Sequence, residues 1–273
     1  MPEEPSQGNE VEATWREFLT VGDVARERQQ RRILSKLPGS PRCRLCHAPF
    51  KGLGSPIAQL LFSRRPSNMH PLLCNTCETF ARSYMGGAEI ELTVLFADVR
   101  GSTTLAERQN PTAFADQMNR FYKASTDVLV SSNAFIDKLV GDEVIGLYVP
   151  GFAGAGHAEI AINAAVKLLD ATGHTQQNGP WIPVGVGVHT GLAFMGAVGA
   201  AGNRIEITAL GDAMNIGARL ASEAKPGEVI VSEVTVEKAK MDLPTSERRE
   251  LELRGRGRAV PVRIIKADGD RTF

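Results

Sequence analysis

Two aspartates stand where carboxylates could hold metal ions. Asp98 ends a predicted strand, and the glycine-containing loop after it leads into a helix. Asp142 lies in the predicted turn of a β-hairpin. If these strands are neighbours in one sheet, both carboxylates meet at the same end, where they can hold Mg2+ together with a polyphosphate beside a helix N-terminus. By themselves, aspartates in such places more often serve only the turn.

Four cysteines form a second candidate site, made of two C-x2-C pairs: Cys43 with Cys46, and Cys74 with Cys77. Each pair places two thiolates on one tight turn, and two such turns can enclose one ion tetrahedrally. We expect a structural Zn2+ site, with mononuclear iron or an iron–sulfur cluster as alternatives. A redox pair or metal-free thiols are the remaining interpretation.

The stretch that contains these cysteines is basic. Residues 31–73 carry eight lysines and arginines and no acidic residue. Such a stretch could face nucleic acid, anionic lipid or an acidic partner. Because aromatic residues that could stack on bases are sparse there, we do not expect nucleic acid binding. We favour a solvated face on a small metal module, and the sequence names no regulatory partner.

The composition bounds the class of protein. The 273 residues hold 31 basic and 31 acidic side chains and are 42% hydrophobic, which is ordinary for a globular chain and argues against disorder or a fibre. Apolar stretches fall short of the roughly 20 residues that span a bilayer. The N-terminus lacks the basic start and apolar block of a secretory signal, so we expect a cytoplasmic protein.

The order of predicted elements gives three parts. Residues 1–40 read as an acidic tail followed by one helix over 11–37, and residues 41–85 as the cysteine module. Gly86-Gly87 predicts a hinge. Residues 86–273 then alternate β-branched strands, a hairpin at Gly141-Asp142 and amphipathic helices, which predicts one mixed sheet with helices packed on one face.

Three strings in this last part resemble the signature blocks of the class III adenylate and guanylate cyclase catalytic domain, in the family's order. They are FADVRGST at 96–103, DKLVGDE at 137–143 and LGDAMNIGARL at 210–220. The resemblance covers about residues 89–266 and implies an α+β fold of the ferredoxin-like, palm type, preceded by the helix and the cysteine module. Several spaced motifs that agree are more specific than any one of them.

The resemblance also implies roles for single residues. Asp98 and Asp142 match the two aspartates that bind two Mg2+ or Mn2+ ions, with the Val99 carbonyl as a further ligand. Lys138 and Thr208 match the purine-reading positions, and a lysine with a threonine is typical of adenine selection.

Further matches concern the ribose and the phosphates. Asn215 matches the residue that orients the ribose, and Arg219 the one that stabilises the pentavalent phosphorus. Arg254 stands where the family usually has a triphosphate-binding lysine, although Arg256 is close enough to take that place.

The implied activity is an adenylate cyclase, which converts ATP to 3′,5′-cyclic AMP and pyrophosphate. In the family, metal-binding and purine-reading residues come from opposite subunits, so a homodimer is expected. A guanylate or dual-specificity cyclase, and a catalytically silent nucleotide sensor, are the alternatives.

Overall fold

The computed structural model describes residues 7–21, 24–199, 205–244, 246–252 and 259–267. The helices within these ranges have the following bounds: α1 (Gln7–Arg16), a π-helical turn (Glu17–Val21), α2 (Val24–Lys36), α3 (Gly54–Phe62), α4 (Asn75–Ser83), α5 (Ser102–Arg108), α6 (Pro111–Ser131), α7 (Pro150–Ala153), α8 (His157–Ala171), α9 (Asp212–Glu223) and α10 (Glu233–Ala239).

The strands form one mixed sheet in the order β2-β3-β1-β4-β6-β8-β7. Strand β5 has no place in this order and pairs with β4 as a hairpin. Their bounds are β1 (Gly86–Val99), β2 (Phe135–Val140), β3 (Glu143–Tyr148), β4 (Val184–Gly199), β5 (Ile205–Leu210), β6 (Glu228–Ser232), β7 (Glu247–Leu251) and β8 (Val260–Lys266). Only β4 and β6 run parallel among these pairs. The α+β class predicted from the sequence is therefore confirmed.

Helices cover both faces of the sheet, so the expectation of helices on one face was wrong. Leu95 and Ala97 of β1 pack into a core with α6 and α8. Val94 and Phe96, which point the other way, share a core with α9 and with the N-terminal elements. Residues 92–97 are all buried, and a run buried on both faces is typical of a strand covered on both sides.

The N-terminal elements differ from the single helix predicted over 11–37. Helix already begins at Gln7, and the π-helical turn after α1 interrupts the run. The reason is tertiary packing: Trp15 is fully buried, and its indole N–H donates to the Tyr84 carbonyl over 2.7 Å. Phe18 contacts Phe152 edge-on at 5.3 Å between ring centroids, which fixes the turn against α7.

Gly86-Gly87 is not a free hinge, because both residues are paired in β1 with Ala197 and Gly196 of β4. A Cβ on Gly87 would lie 2.4 Å from the Met195 carbonyl oxygen, so the glycine is needed for close approach of the two strands. No helix among the described residues has both the length and the apolar composition to cross a membrane.

Candidate active site

The end of β1 carries the predicted metal-binding residues. The Val99 backbone N–H donates to the Asp142 carbonyl over 3.0 Å and ties the β2–β3 turn to this strand end. The Ser102 hydroxyl at the start of α5 donates to Asp142 Oδ2 over 2.5 Å. Asp98 pairs with Glu143 across the β1–β3 ladder. Asp98 and Asp142 therefore lie at the same end of the sheet.

Three carboxylates meet at this end. Burial raises the pKa of both Asp98 and Glu143 above their usual values, and the charge of the neighbouring Asp142 adds to each rise. Arg100 opposes these rises and forms an ion pair with Asp98, while its guanidinium also donates to the Ser222 carbonyl over 2.9 Å. Arg100 pairs with only one of the three carboxylates, and the charge of Lys138 also opposes the rise in the pKa of Glu143. The group still offers the acidic oxygen donors that suit hard divalent cations. These residues fit the Mg2+ or Mn2+ ions that the resemblance implies.

Glu143 and Arg100 are two members of this group that the sequence analysis missed. Both lie inside the strings that carry the resemblance: Glu143 directly follows Asp142, and Arg100 comes two residues after Asp98. A count of charged residues around each candidate ligand would have found them.

Lys138 and Thr208 come together around a buried carboxylate, Asp137. The β2–β3 register shifts between Ile136 and Lys138, so Asp137 is the extra residue of a β-bulge. Asp137 and Thr208 are each only 3% exposed. Burial raises the pKa of Asp137 to about 6, and the nearby Thr208 hydroxyl, Lys138 and Arg44 oppose the rise.

Neither carboxylate oxygen of Asp137, nor Thr208 Oγ1, makes a hydrogen bond of good geometry within the described residues. Buried polar atoms without a hydrogen bond lower the stability of the folded protein. They are common at sites where a bound ligand supplies the missing hydrogen bond. Asp137 was quoted only as part of a motif string in the sequence analysis and was given no role. In a regular strand its side chain would point to the face opposite that of Lys138. The bulge removes that alternation.

Helix α9 presents Asn215 and Arg219 on one face, since residues four apart lie one turn above each other. Asn215 is exposed and Arg219 half-buried, whereas the residues that face the sheet are Ala213, Ile216, Gly217, Leu220 and Ala221. A Cβ on Gly217 would lie 2.5 Å from Val94 Cγ2, so this glycine sets how closely α9 approaches β1. Arg254 and Arg256 lie outside the described residues.

The four cysteines lie together. Their Sγ atoms are all within 4.8 Å of one another, and Cys46 Sγ is 3.7 Å from Cys74 Sγ. A tetrahedral ion with Zn–S bonds of about 2.3 Å has sulfur–sulfur edges of about 3.8 Å. A multinuclear cluster, which places several irons between its thiolates, needs them further apart. The donor set therefore fits one tetrahedral ion.

Basic side chains surround these sulfurs. The Arg64 guanidinium contacts Cys77 Sγ at 3.8 Å and Cys74 Sγ at 4.0 Å. Burial lowers the pKa of Arg31 to about 10, and the charges of the nearby cysteines oppose this fall. Four thiolates around one divalent ion would carry net negative charge, which these arginines would offset.

The first cysteine turn is bonded to the free edge of β2. Arg44 Nη1 donates to the Asp137 carbonyl over 2.8 Å, and the Ile136 N–H donates to the Arg44 carbonyl over 3.4 Å. His47 Nε2 lies 2.8 Å from the Ala134 carbonyl oxygen. The cysteine module thus holds the strand that bears Lys138.

The basic stretch is only in part a solvated face. Arg31, Arg42 and Arg44 donate to backbone carbonyls, including Leu37 O at 2.5 Å from Arg42 Nη2, and Arg64 contacts the sulfurs. Half of the basic side chains in residues 31–73 therefore stabilise the module from inside. The expectation of a purely solvated face needs this correction.

Comparison with known proteins identifies the family. Residues 88–265 match the family described as "Adenylate and Guanylate cyclase catalytic domain". The chain therefore belongs to that family. An adenylate cyclase of Anabaena cylindrica is 27% identical over 190 residues, which are 64% of this chain and 37% of the relative. The chain thus spans little more than a third of that relative's length.

Solved structures agree with this fold. The guanylyl cyclase Cya2 superposes with a TM-score of 0.62 at 23% identity, covering 69% of this chain and 98% of that one. The adenylyl cyclase CyaB of P. aeruginosa gives a TM-score of 0.58 at 25% identity, covering 68% and 97%. Because an adenylyl and a guanylyl cyclase both superpose on this fold, the comparison does not distinguish ATP from GTP as the substrate.

Proposed function

We propose that this chain is a cytoplasmic adenylate cyclase that converts ATP to 3′,5′-cyclic AMP and pyrophosphate. The observation that carries the proposal is the carboxylate group at the end of β1, where Asp98, Asp142 and Glu143 meet with one opposing arginine. The preference for adenine rests on Lys138, which can donate to the unprotonated ring nitrogen of adenine, with Thr208 beside it.

The reaction joins the ribose 3′-oxygen to the α-phosphorus of the same nucleotide and breaks the bond from that phosphorus to the oxygen that bridges it to the β-phosphate. The bridging oxygen leaves with pyrophosphate, and the proton of the 3′-hydroxyl passes to solvent. Asp98 and Asp142, with the Val99 carbonyl, would hold two divalent cations, which when bound lower the pKa of the 3′-hydroxyl and offset phosphate charge. Asn215 orients the ribose, Arg219 donates to the phosphoryl oxygens at the crowded phosphorus, and Arg254 binds the triphosphate. Little covalent chemistry is left to the protein, so position and charge carry the rate.

We propose that two copies build each site. Thr208 pairs with Gly196 near one end of β4, whereas Asp98 faces Gly185 near the other end. Asn215 lies on the exposed face of α9. A second chain that brings its Asp98 to this face would complete the site, and the symmetry of a homodimer would give two equivalent sites.

We further propose that the four cysteines bind Zn2+ and that the metal keeps β2 in place. The sulfur spacing supports a single tetrahedral ion, and Arg44 follows the first ligand directly while bonding to the Asp137 carbonyl. A metal ion that orders the first cysteine turn would therefore also help to fix the position of Lys138, because Arg44 follows Cys43 and Asp137 precedes Lys138. No regulatory partner is identified by these contacts.

The test is purified protein incubated with Mg2+ or Mn2+ and either ATP or GTP, with both cyclic nucleotides and the metal content measured on one sample. Cyclic AMP from ATP, lost in Asp98→Ala, supports the proposal. Failure to cyclise any nucleotide by a folded, metal-loaded preparation would leave the nucleotide sensor as the better account.

One observation favours a second candidate, a guanylate or dual-specificity cyclase. The Asp137 carboxylate is a buried acceptor next to Lys138, and within the described residues neither of its oxygens makes a hydrogen bond of good geometry. Guanine offers a ring N–H and an amino group to such an acceptor and a carbonyl to the lysine. Competition between ATP and GTP in the same assay decides between the two.

A further inference from the structure

Helix α3 of the cysteine module turns an apolar face to the solvent. Leu53, the cap residue just before α3, has with Ile57, Leu60 and Leu61 the spacing of one helix face. These four side chains are 85%, 40%, 84% and 74% exposed. Monomeric proteins rarely leave large aliphatic side chains clustered in this way, and such clusters mark sites of interaction. We call this face, with these four residues, the α3 face.

The helix is seated firmly, so its exposed face does not result from loose packing. On the opposite side Gly54 is buried, and a Cβ there would lie 2.4 Å from the Pro38 carbonyl oxygen. The Ser55 hydroxyl donates to the Phe50 carbonyl over 3.0 Å. Ala58 is fully buried. The small residues face the protein and the large apolar ones face out, which is the reverse of an ordinary surface helix.

Exposed positive charge accompanies the α3 face. Exposed Lys51 precedes the helix and exposed Arg65 follows it, and residues 31–73 contain no acidic side chain. Met69, in the loop after the helix, adds a further apolar side chain that is 66% exposed. Leucines combined with lysine and arginine are the composition of helices that lie in the surface of an anionic bilayer.

We propose that the α3 face binds the surface of a membrane that contains anionic lipid. Leucine side chains would enter the interfacial layer, while Lys51 and Arg65 remain among the headgroups. A second copy of this chain fits less well, because α3 packed against α3 brings like charges together. Four side chains also cover much less than the roughly 800 Å2 per partner of a standard interface. This inference is independent of the reaction proposed above.

The test is co-sedimentation of the full chain with phosphatidylcholine vesicles, with and without phosphatidylserine. The wild type should bind only the phosphatidylserine-containing vesicles, and binding should weaken with salt. Leu60→Glu combined with Leu61→Glu should reduce binding on the order of tenfold or more. Lys51→Glu combined with Arg65→Glu should also reduce it. Val234→Glu, at an exposed apolar position on α10, is the matched control and should bind as the wild type does.

Folding of each variant is checked by its metal content and unfolding temperature, which exposed substitutions should leave unchanged. Equal vesicle binding by the wild type and the leucine variant would overturn the proposal, as would binding by neither. A change in the oligomeric state of the leucine variant on size exclusion, without a change in vesicle binding, would assign the α3 face to a second copy instead.

Discussion

Asp137 shows how one inserted residue alters a strand. The bulge places its carboxylate beside Thr208 and Lys138 in a buried position, where no described residue gives it a hydrogen bond of good geometry. A buried carboxylate without good hydrogen bonds lowers the stability of the folded protein. Residues that lower stability in this way are concentrated at functional sites. The residue is therefore a candidate for contact with the base.

The raised pKa of Asp137 gives a pH-dependent prediction. Its folded pKa is about 6 against an ordinary 3.8, so the folded state holds the proton more tightly and its stability falls as pH rises from about 4 to about 6. Asp137→Asn should raise the free energy of unfolding at pH 8 by about 3 kcal/mol. At pH 4 it should change little. Urea unfolding at both pH values is the measurement.

The control is Asp116→Asn, at an exposed position on α6. This variant should have the same free energy of unfolding as the wild type at both pH values. A gain of the same size at pH 4 and pH 8 would contradict a role for ionisation. Nucleotide affinity measured on the same variant would report whether the carboxylate also contacts the base.

Arg219 gives a prediction about catalysis. If its guanidinium acts at the phosphorus in the transition state, Arg219→Ala should lower kcat by about 10²–10³ and leave KM within a few-fold of the wild type. Steady-state formation of cyclic AMP is the measurement. Arg108→Ala, at an exposed position on α5, serves as the control. A large rise in KM with unchanged kcat would instead assign Arg219 to ground-state binding.

Among the elements, α9 and β4 depend on glycines that let them approach closely. A Cβ on Gly187 would lie 2.3 Å from the Ala221 backbone N and 2.5 Å from the Gly217 carbonyl oxygen. Gly187→Ala should therefore cost about 3 kcal/mol of stability, because backbone atoms cannot rotate away. Thermal unfolding is the measurement. Gly156→Ala, where the nearest atom is 3.8 Å away, should be nearly neutral, and equal losses in both variants would refute the packing argument.

The pattern of residues predicted most elements of the catalytic part. The β2–β3 hairpin follows from Gly141-Asp142 between two apolar runs. The alternation of valine and glycine at residues 184–188 is typical of a strand that a neighbouring backbone approaches closely, as α9 does here. The sequence did not predict that β4 continues unbroken to Gly199 or that a π-helical turn follows α1. Both depend on tertiary contacts, the pairing with β1 and the burial of Trp15, which local propensity does not contain.

The candidate site was less accessible to sequence reasoning than the fold. The motif strings pointed to Asp98 and Asp142, but the crowding by Glu143 depends on the cross-strand register. The proximity of Thr208 to Asp137 depends on how the β4–β5 hairpin meets β2. Spacing along the chain carries no information on either distance.

For the whole molecule, shared sites predict complementation between inactive chains. Asp98→Ala removes the proposed metal ligand and Asn215→Ala removes the proposed ribose contact, so each variant is expected to be inactive alone. When the two are mixed and subunits exchange, half of the dimers hold one intact site, and roughly a quarter of wild-type activity should return. Cyclic AMP formation is the measurement. Exchange shown with differently tagged chains, but without recovered activity, would rule out a shared site.

Metal removal tests the role of the cysteine module. Because the first cysteine turn bonds to β2, stripping the ion should lower the unfolding temperature and weaken binding of 3′-deoxy-ATP, which cannot cyclise. Calorimetry on the stripped protein measures both effects, and added Zn2+ should reverse them. An unchanged affinity after complete removal would show that the ion does not influence the purine-reading strand.

Trp15 has a consequence for any attempt to shorten the protein. Its ring fills the same core as Ile90 and Met195 of the sheet. A fragment that starts at residue 86 would present those side chains to water and should precipitate on expression. A shorter version of the protein is therefore expected to need polar substitutions along the strands that the amino-terminal elements now cover.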